Sequence, residues 1–323
     1  MSLLKLRLSM IGTLAFLIAL SSLFFGIILT FMGGLDITAL IVIVVAFNLI
    51  QWLIAPYIID AMYKVKPVTE SGNPKLYSMV RNLSRKTKIK MPKLMIAKIP
   101  IPNAFAYGSP ITGKKVAVTE TLLETLEEEE VEAVIGHELG HLKHRDVQIM
   151  MFASVLPAIF FFIGYSLMLS SMFGGGRRDG NGGAAILIGI ACMAIYWILS
   201  LFVLGLSRLR EYYADRHSVS VVDDGARKLS EALAKIVNYS ANIKRRSRQK
   251  AGSSSSFRSL FIADPERAEK DYQDIAKISG YSADQQLVEG IISRKLSTTD
   301  KILELFSTHP NIVERLKALQ KLS

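Results

Sequence analysis

The stretch VEAVIGHELGHLKHRDV, residues 131–147, decides how the chain is read. It has helical spacing and carries His137, Glu138 and His141 in the pattern H-E-x-x-H. Its last residue, Val147, opens a run to Gly176 that contains no Asp, Glu, Lys or Arg. A polar helix with metal-ligand chemistry therefore leads directly into a segment long enough to cross a bilayer core, which takes about 20 residues.

Three other stretches lack charge in the same way: Leu8 to Leu35, Ile37 to Ile59, and Gly180 to Ser207. Buried helices of soluble proteins rarely run so far without a charged residue, so four transmembrane helices are expected. The first is read as a retained anchor, because no small-residue cleavage site follows it before Asp36. Lys5, Arg7, Lys64, Lys66, Arg208 and Arg210 flank the spans on one side and outnumber Arg177 and Arg178 on the other. The positive-inside rule then places both termini and both large polar segments in the cytoplasm.

Half of the 323 residues are hydrophobic and 21% are charged, which excludes a disordered chain. A net charge of +11 in a membrane protein reads as basic cytoplasmic loops near anionic lipid, and no nucleic-acid partner is expected. The single cysteine, Cys192, excludes an intrachain disulfide and a cysteine-based metal site. The expected organisation is a transmembrane hairpin at 1–60, a polar segment at 61–146, a second hairpin at 147–207 and a second polar segment at 208–323. The two polar segments form one cytoplasmic α+β domain. Residues 75–88 and 120–145 have helical spacing, 93–99 and 114–119 read as strands of a small sheet, and 208–243 and 265–321 read as helices. The stretch 245–257 is Ser-rich and basic.

On a helix, residues i and i+4 share a face, so His137 and His141 can offer imidazole nitrogens to one Zn²⁺. Zinc lowers the pKa of a bound water toward ~7, and Glu138 stands where it can act as general base. A third protein ligand is expected. His144 lies ~10.5 Å from His137 along a straight helix axis and cannot share the ion; it is expected at the surface, beside lipid headgroups. The third and fourth uncharged stretches form a hairpin, so the helix that enters it and the helix that leaves it emerge side by side. Glu211 and Asp215 then come level with His141, four residues apart on one helical face. One can bind zinc while the other accepts a hydrogen bond from a ligand histidine. A solvated face paired by Arg210 and Arg216 is the plainer alternative.

Taken together, PNAFAYG (102–108), HELGH (137–141), EYYAD (211–215) and THPNIVERL (308–316) resemble the motifs of HtpX-type membrane zinc metalloproteases, relatives of the CAAX prenyl proteases. The resemblance covers nearly the whole chain and implies a gluzincin-like domain with one zinc per chain. It also implies Glu211 as third ligand and Asp215 as its supporting carboxylate, with His309 reaching back to steady the oxyanion. The PNAFAYG segment is similar to the one bordering the substrate groove, where an extended edge can pair with a peptide by β-augmentation; Asn103 and Ala104 are expected nearest the site. The plainer reading of the last motif is a helix start with Thr308 as cap and Pro310 in the first turn. The expected function is a membrane-bound zinc endopeptidase, multi-pass in the cell membrane. It cuts cytoplasmic or juxtamembrane segments of damaged or misfolded membrane proteins in quality control and the stress response. Its partners are membrane-protein or peptide substrates and the bilayer. A prenyl-protein protease and a non-enzymatic scaffold are the rivals; the intact Glu138 argues against the scaffold.

Overall fold

The computed structural model of the chain describes residues 37–173, 182–247 and 284–322. The expected span Leu8 to Leu35 and most of the basic stretch 245–257 lie outside them. In chain order the helices are α1 (Ile37–Met62), α2 (Pro74–Thr87), α3 (Glu120–Thr125), α4 (Glu128–Lys143), α5 (Asp146–Phe173), α6 (Gly182–Val221), α7 (Gly225–Ser247), α8 (Asp284–Ile292), α9 (Thr298–Leu305) and α10 (Ile312–Gln320). The strands are β1 (Lys66–Pro67), β2 (Lys93–Ala97), β3 (Ala104–Ser109) and β4 (Gly113–Thr119). The chain divides into two compact units, one built from Leu53–Val147 and Arg210–Ser323, the other from Gln148–Leu209 and the segment ending at Trp52.

In the first unit the strands form one sheet in the order β1-β2-β4-β3. β2 and β4 run parallel, whereas β3 is antiparallel to β4 and lies at the edge. Strand alternation sorts the side chains. Leu94, Val116 and Val118 join the main core with Val80 and Leu83 of α2, Val134 and Leu139 of α4, and Leu229 and Leu233 of α7. Met95, Phe105, Tyr107 and Ala117 pack on the other face with Ile59 and Tyr63 at the end of α1.

Two expected helices are interrupted. The segment 120–145 breaks at Leu126 and Glu127, both extended. Leu126 turns into the core, and the Glu130 carboxylate accepts the Glu127 N–H at 2.8 Å, which starts α4 afresh. The helix expected to run from 208 to 243 stops at Val221 and resumes at Gly225, after Asp224 with φ +55°. A Cβ at Gly225 would lie 2.9 Å from the Val219 Cα, so this tight reversal needs glycine there.

Within α5 and α6, Asp146–Met168 and Gly183–Val221 are long and apolar enough to cross a membrane, the two such helices among the described residues. In the second unit Phe152, Leu187 and Trp197 are 64%, 69% and 57% exposed, which suits lipid and not a soluble core. The helices α5 and α6 pack through Gly164 and Gly189, where a Cβ on Gly164 would lie 2.9 Å from the Gly189 carbonyl oxygen.

Glycines also set the packing of α4. A Cβ at Gly140 would lie 3.1 Å from the His217 Cβ and 3.2 Å from the Ala214 Cα. At Gly136 it would meet Val222 and Ser218 at 3.0 and 3.1 Å. The Ser218 hydroxyl donates to the Ala133 carbonyl at 2.6 Å across the same contact. Gly140→Val should therefore destabilise the protein by about 1–3 kcal/mol through overpacking. Gly183→Ala, in open space, should not. Thermal melting of the full chain in detergent checks this, and an unaltered Gly140→Val melt would contradict the close contact.

Candidate active site

Three elements of the first unit converge on one buried point. The first is α4, which carries Glu128, Glu129 and Glu130 in its first turn and Lys143 in its last, matching the helix dipole. Its face bearing His137 and Glu138 is buried, at 1% and 4% exposure. The second is the end of α6, held against α4 by the glycine contact, with Glu211 and Asp215 both buried. The third is the segment before α10. There Asn311, not Thr308, caps the helix: its Oδ1 accepts the Val313 N–H at 2.9 Å. His309 is held just upstream, where the Ser307 hydroxyl donates to its carbonyl at 2.9 Å and accepts from its N–H at 3.2 Å.

The Nε2 atoms of His137 and His141 lie 3.1 Å apart. Glu211 approaches them at 3.7 Å from His137 and 3.5 Å from His141. These three residues form a group able to hold a metal ion. Zinc–ligand bonds of ~2.0–2.2 Å in a tetrahedron imply ligand separations of about 3.4 Å, so the spacing fits. Glu211 Oε2 is buried between two donors. It lies 3.2 Å from both His309 Nδ1 and Arg315 Nη1. Burial lowers the pKa of His137 to about 4, with the Arg315 charge adding to this and the Asp215 contact opposing it. The ring is thus neutral, as a ligand must be.

Behind His137, Asp215 Oδ1 sits 2.9 Å from Nδ1, and Arg315 grips the carboxylate by donating to Oδ1 at 2.7 Å and to Oδ2 at 2.8 Å. Burial opposes the Arg315 charge, but the Asp215 and Glu211 carboxylates more than offset it and raise its pKa. The plainer reading of the EYYAD acids thus fails at its pairing: Arg315 pairs with both, and Arg210 turns to Asp146 at 3.0 Å. His141 Nδ1 lies 2.6 Å from the same Asp146. Sequence reasoning passed over Asp146. Its signal was a lone acid at the head of an uncharged stretch, five residues past the second histidine. His144, expected at the surface, is half-buried at the end of α4 with its ring 4.1 Å from that of Tyr213.

The edge strand faces Glu138. The Thr119 N–H donates to the Asn103 carbonyl at 2.9 Å, and the register pairs Phe105 with Ala117. Antiparallel alternation therefore turns the backbone of Ala104 and Ala106 away from β4. The Ala106 N–H donates to the Glu138 carboxylate. Asn103 and Ala104 are each 1% exposed, so Asn103 closes the β3–β4 ladder and Ala106 makes the contact that the sequence did not reveal. His309 is buried beside Glu211, which its Nδ1 meets at 3.2 Å.

This arrangement, an H-E-x-x-H helix with a carboxylate from a second helix and an edge strand over the acid, defines a metalloprotease. The sequence profile described as Peptidase family M48 matches residues 70–323. A Protease HtpX homolog of Thermoplasma acidophilum is 38% identical, covering 100% of this chain and 99% of that protein. Protease HtpX homolog 2 of Sulfurisphaera tokodaii is 38% identical, covering 99% and 97%. The crystal structure of S. mikatae Ste24p matches with a TM-score of 0.53 at 18% identity, covering 98% of this chain and 67% of that one, a likeness of fold. The chain belongs to peptidase family M48 and is a membrane metalloprotease resembling HtpX.

Burial raises the Glu138 pKa from 4.5 to about 7, with the Glu211 charge adding to this and the His141 charge and Ala106 N–H opposing it. The metal-free folded state thus binds this proton more tightly than the unfolded chain does. The resulting stability is present below about pH 4.5 and lost as the pH rises through about 7. Chelator-treated Glu138→Gln should melt above chelator-treated wild type at pH 8, and the two should converge near pH 4. A gap independent of pH would contradict the burial argument.

Proposed function

We propose that the chain is a zinc-dependent endopeptidase. The observation that carries this reading is the convergence of His137, His141 and Glu211, with Glu138 beside them on the backbone of β3. Bound zinc supplies Lewis acidity, polarising the scissile carbonyl and making water reactive at neutral pH. The chain's own residues do the rest. Glu138 takes a proton from the attacking water and passes it to the leaving amine. His309 offers a ring N–H to the developing oxyanion, a contribution of typically about 10²–10³-fold. Asp215 holds His137 in the tautomer that turns Nε2 to the metal. The outer edge of β3, with Asn103 and Ala104 at its start, receives an extended substrate backbone and reads little of its sequence.

Four transmembrane helices, with the termini and the protease unit in the cytoplasm, complete the proposal. Support comes from four uncharged stretches, from the distribution of basic residues and from relatives of matching length. Backbone inside lipid is held in hydrogen-bonded helix and cannot lie extended along β3. Cuts are therefore assigned to cytoplasmic loops or juxtamembrane segments that have lost their packing, which suits the removal of damaged membrane proteins. In the test, full-length protein in detergent is given a membrane-protein substrate with one unfolded cytoplasmic loop. Cleavage should map to that loop, stop with chelator and return with zinc. Glu138→Gln should keep its metal and lose about 10²–10⁴-fold in turnover. Chelator-resistant cleavage, or cuts confined to the middle of the substrate's transmembrane helix, would overturn the proposal.

A further inference from the structure

The two histidines of H-E-x-x-H are supported in the same manner from opposite sides. Behind His137 stands Asp215, held by Arg315. Behind His141 stands Asp146, held by Arg210. Asp146 is 2% exposed and Arg210 is 6% exposed, so this pair does not lie in solvent. Asp146 is also the first residue of α5, and an acid there needs no further role than to complement the helix dipole. Its side chain does more than that. A single oxygen, Oδ2, lies 2.6 Å from His141 Nδ1 and 3.0 Å from Arg210 Nη2, and Oδ1 has no hydrogen-bond partner among the described residues. Had the carboxylate served only to cap α5, its oxygens would face the first-turn N–H groups.

The geometry assigns Asp146 and Arg210 as a positioning pair for His141, fixing the imidazole with its proton on Nδ1 and its lone pair on Nε2 toward the metal. The assignment rests on the reading of His137, His141 and Glu211 as ligands. A carboxylate behind a ligand histidine sets its tautomer and ring orientation and makes it a better donor. Arg210 keeps the buried carboxylate paired, which an isolated charge at that depth requires. Arg210 also immediately precedes Glu211, so one turn of α6 supplies both the third ligand and the anchor of the second. The site thus has two bracing pairs. Asp215–Arg315 ties α6 to α10, and Asp146–Arg210 ties the residues after α4 to α6.

The test uses full-length protein in detergent, stripped of metal and titrated with Zn²⁺ against a chromophoric chelator. Asp146→Asn keeps the size and one acceptor oxygen and should weaken zinc binding about tenfold. Asp146→Ala should weaken it about 10–100-fold, the usual cost of removing such a partner. The visible spectrum of the Co²⁺-loaded protein should change in both variants; a role confined to helix capping would leave that spectrum unmoved. Wild-type affinity and spectrum in both Asp146 variants, with His141→Ala and Glu211→Ala still losing zinc, would overturn the positioning role alone. Undiminished zinc binding in His141→Ala and Glu211→Ala as well would overturn the ligand reading beneath it.

Discussion

The contact between α4 and the last turns of α6 governs the site. Gly136 and Gly140 remove the side chains that would hold these helices apart, and Ala214 and Ser218 do the same from α6. At that distance Glu211 reaches the two histidines and Asp215 reaches the far side of His137. Neither helix holds a metal site by itself. H-E-x-x-H brings two imidazoles and a carboxylate, and E-x-x-x-D brings one carboxylate beside both rings and one behind His137. Their separation along the chain is bridged by packing, and an added side chain at Gly140 presses on Ala214 and His217 and so acts on the distances from Glu211 to both histidines.

Charge explains why this packing is stable only with its arginines. Glu211, Asp215 and Asp146 are all buried, and each carboxylate removed from water needs a partner. Arg315 serves the first two and Arg210 the third. Glu138 has no such partner among the described residues, and burial, with the Glu211 charge adding to it, raises its pKa to about 7 against the opposing His141 and Arg315 charges. A divalent cation held by His137, His141 and Glu211 would add positive charge beside Glu138 and favour its ionised form.

Much of this was legible in the sequence because the chemistry falls in short periodic patterns. Four-residue spacing put His137 and His141 on one face, and the hairpin between two uncharged stretches brought Glu211 level with them. The residues that escaped did so for physical reasons. Asp146 looks like an ordinary acid at a helix start, and its histidine partner appears only when α4 ends and the chain turns at Arg145, with φ +56°. Ala106 acts through its backbone N–H, and nothing about an alanine side chain announces that. His309 was legible as a residue type, but the cap beside it was assigned to Thr308, whereas Asn311 holds that place. The break at Leu126 and Glu127 was hidden because a run of glutamates reads as helix throughout, and only the burial of Leu126 opposes it.

The family places this chain among membrane metalloproteases, and the structure groups two imidazoles and one carboxylate that could hold a metal ion. X-ray absorption at the zinc edge of the purified full-length protein reads that coordination directly. The expected spectrum shows one zinc per chain, with two imidazole nitrogens at about 2.0–2.1 Å and a carboxylate oxygen at about 2.0–2.2 Å, and a changed first shell in Glu211→Ala. Zinc without imidazole scattering, or a first shell identical in wild type and Glu211→Ala, would contradict it.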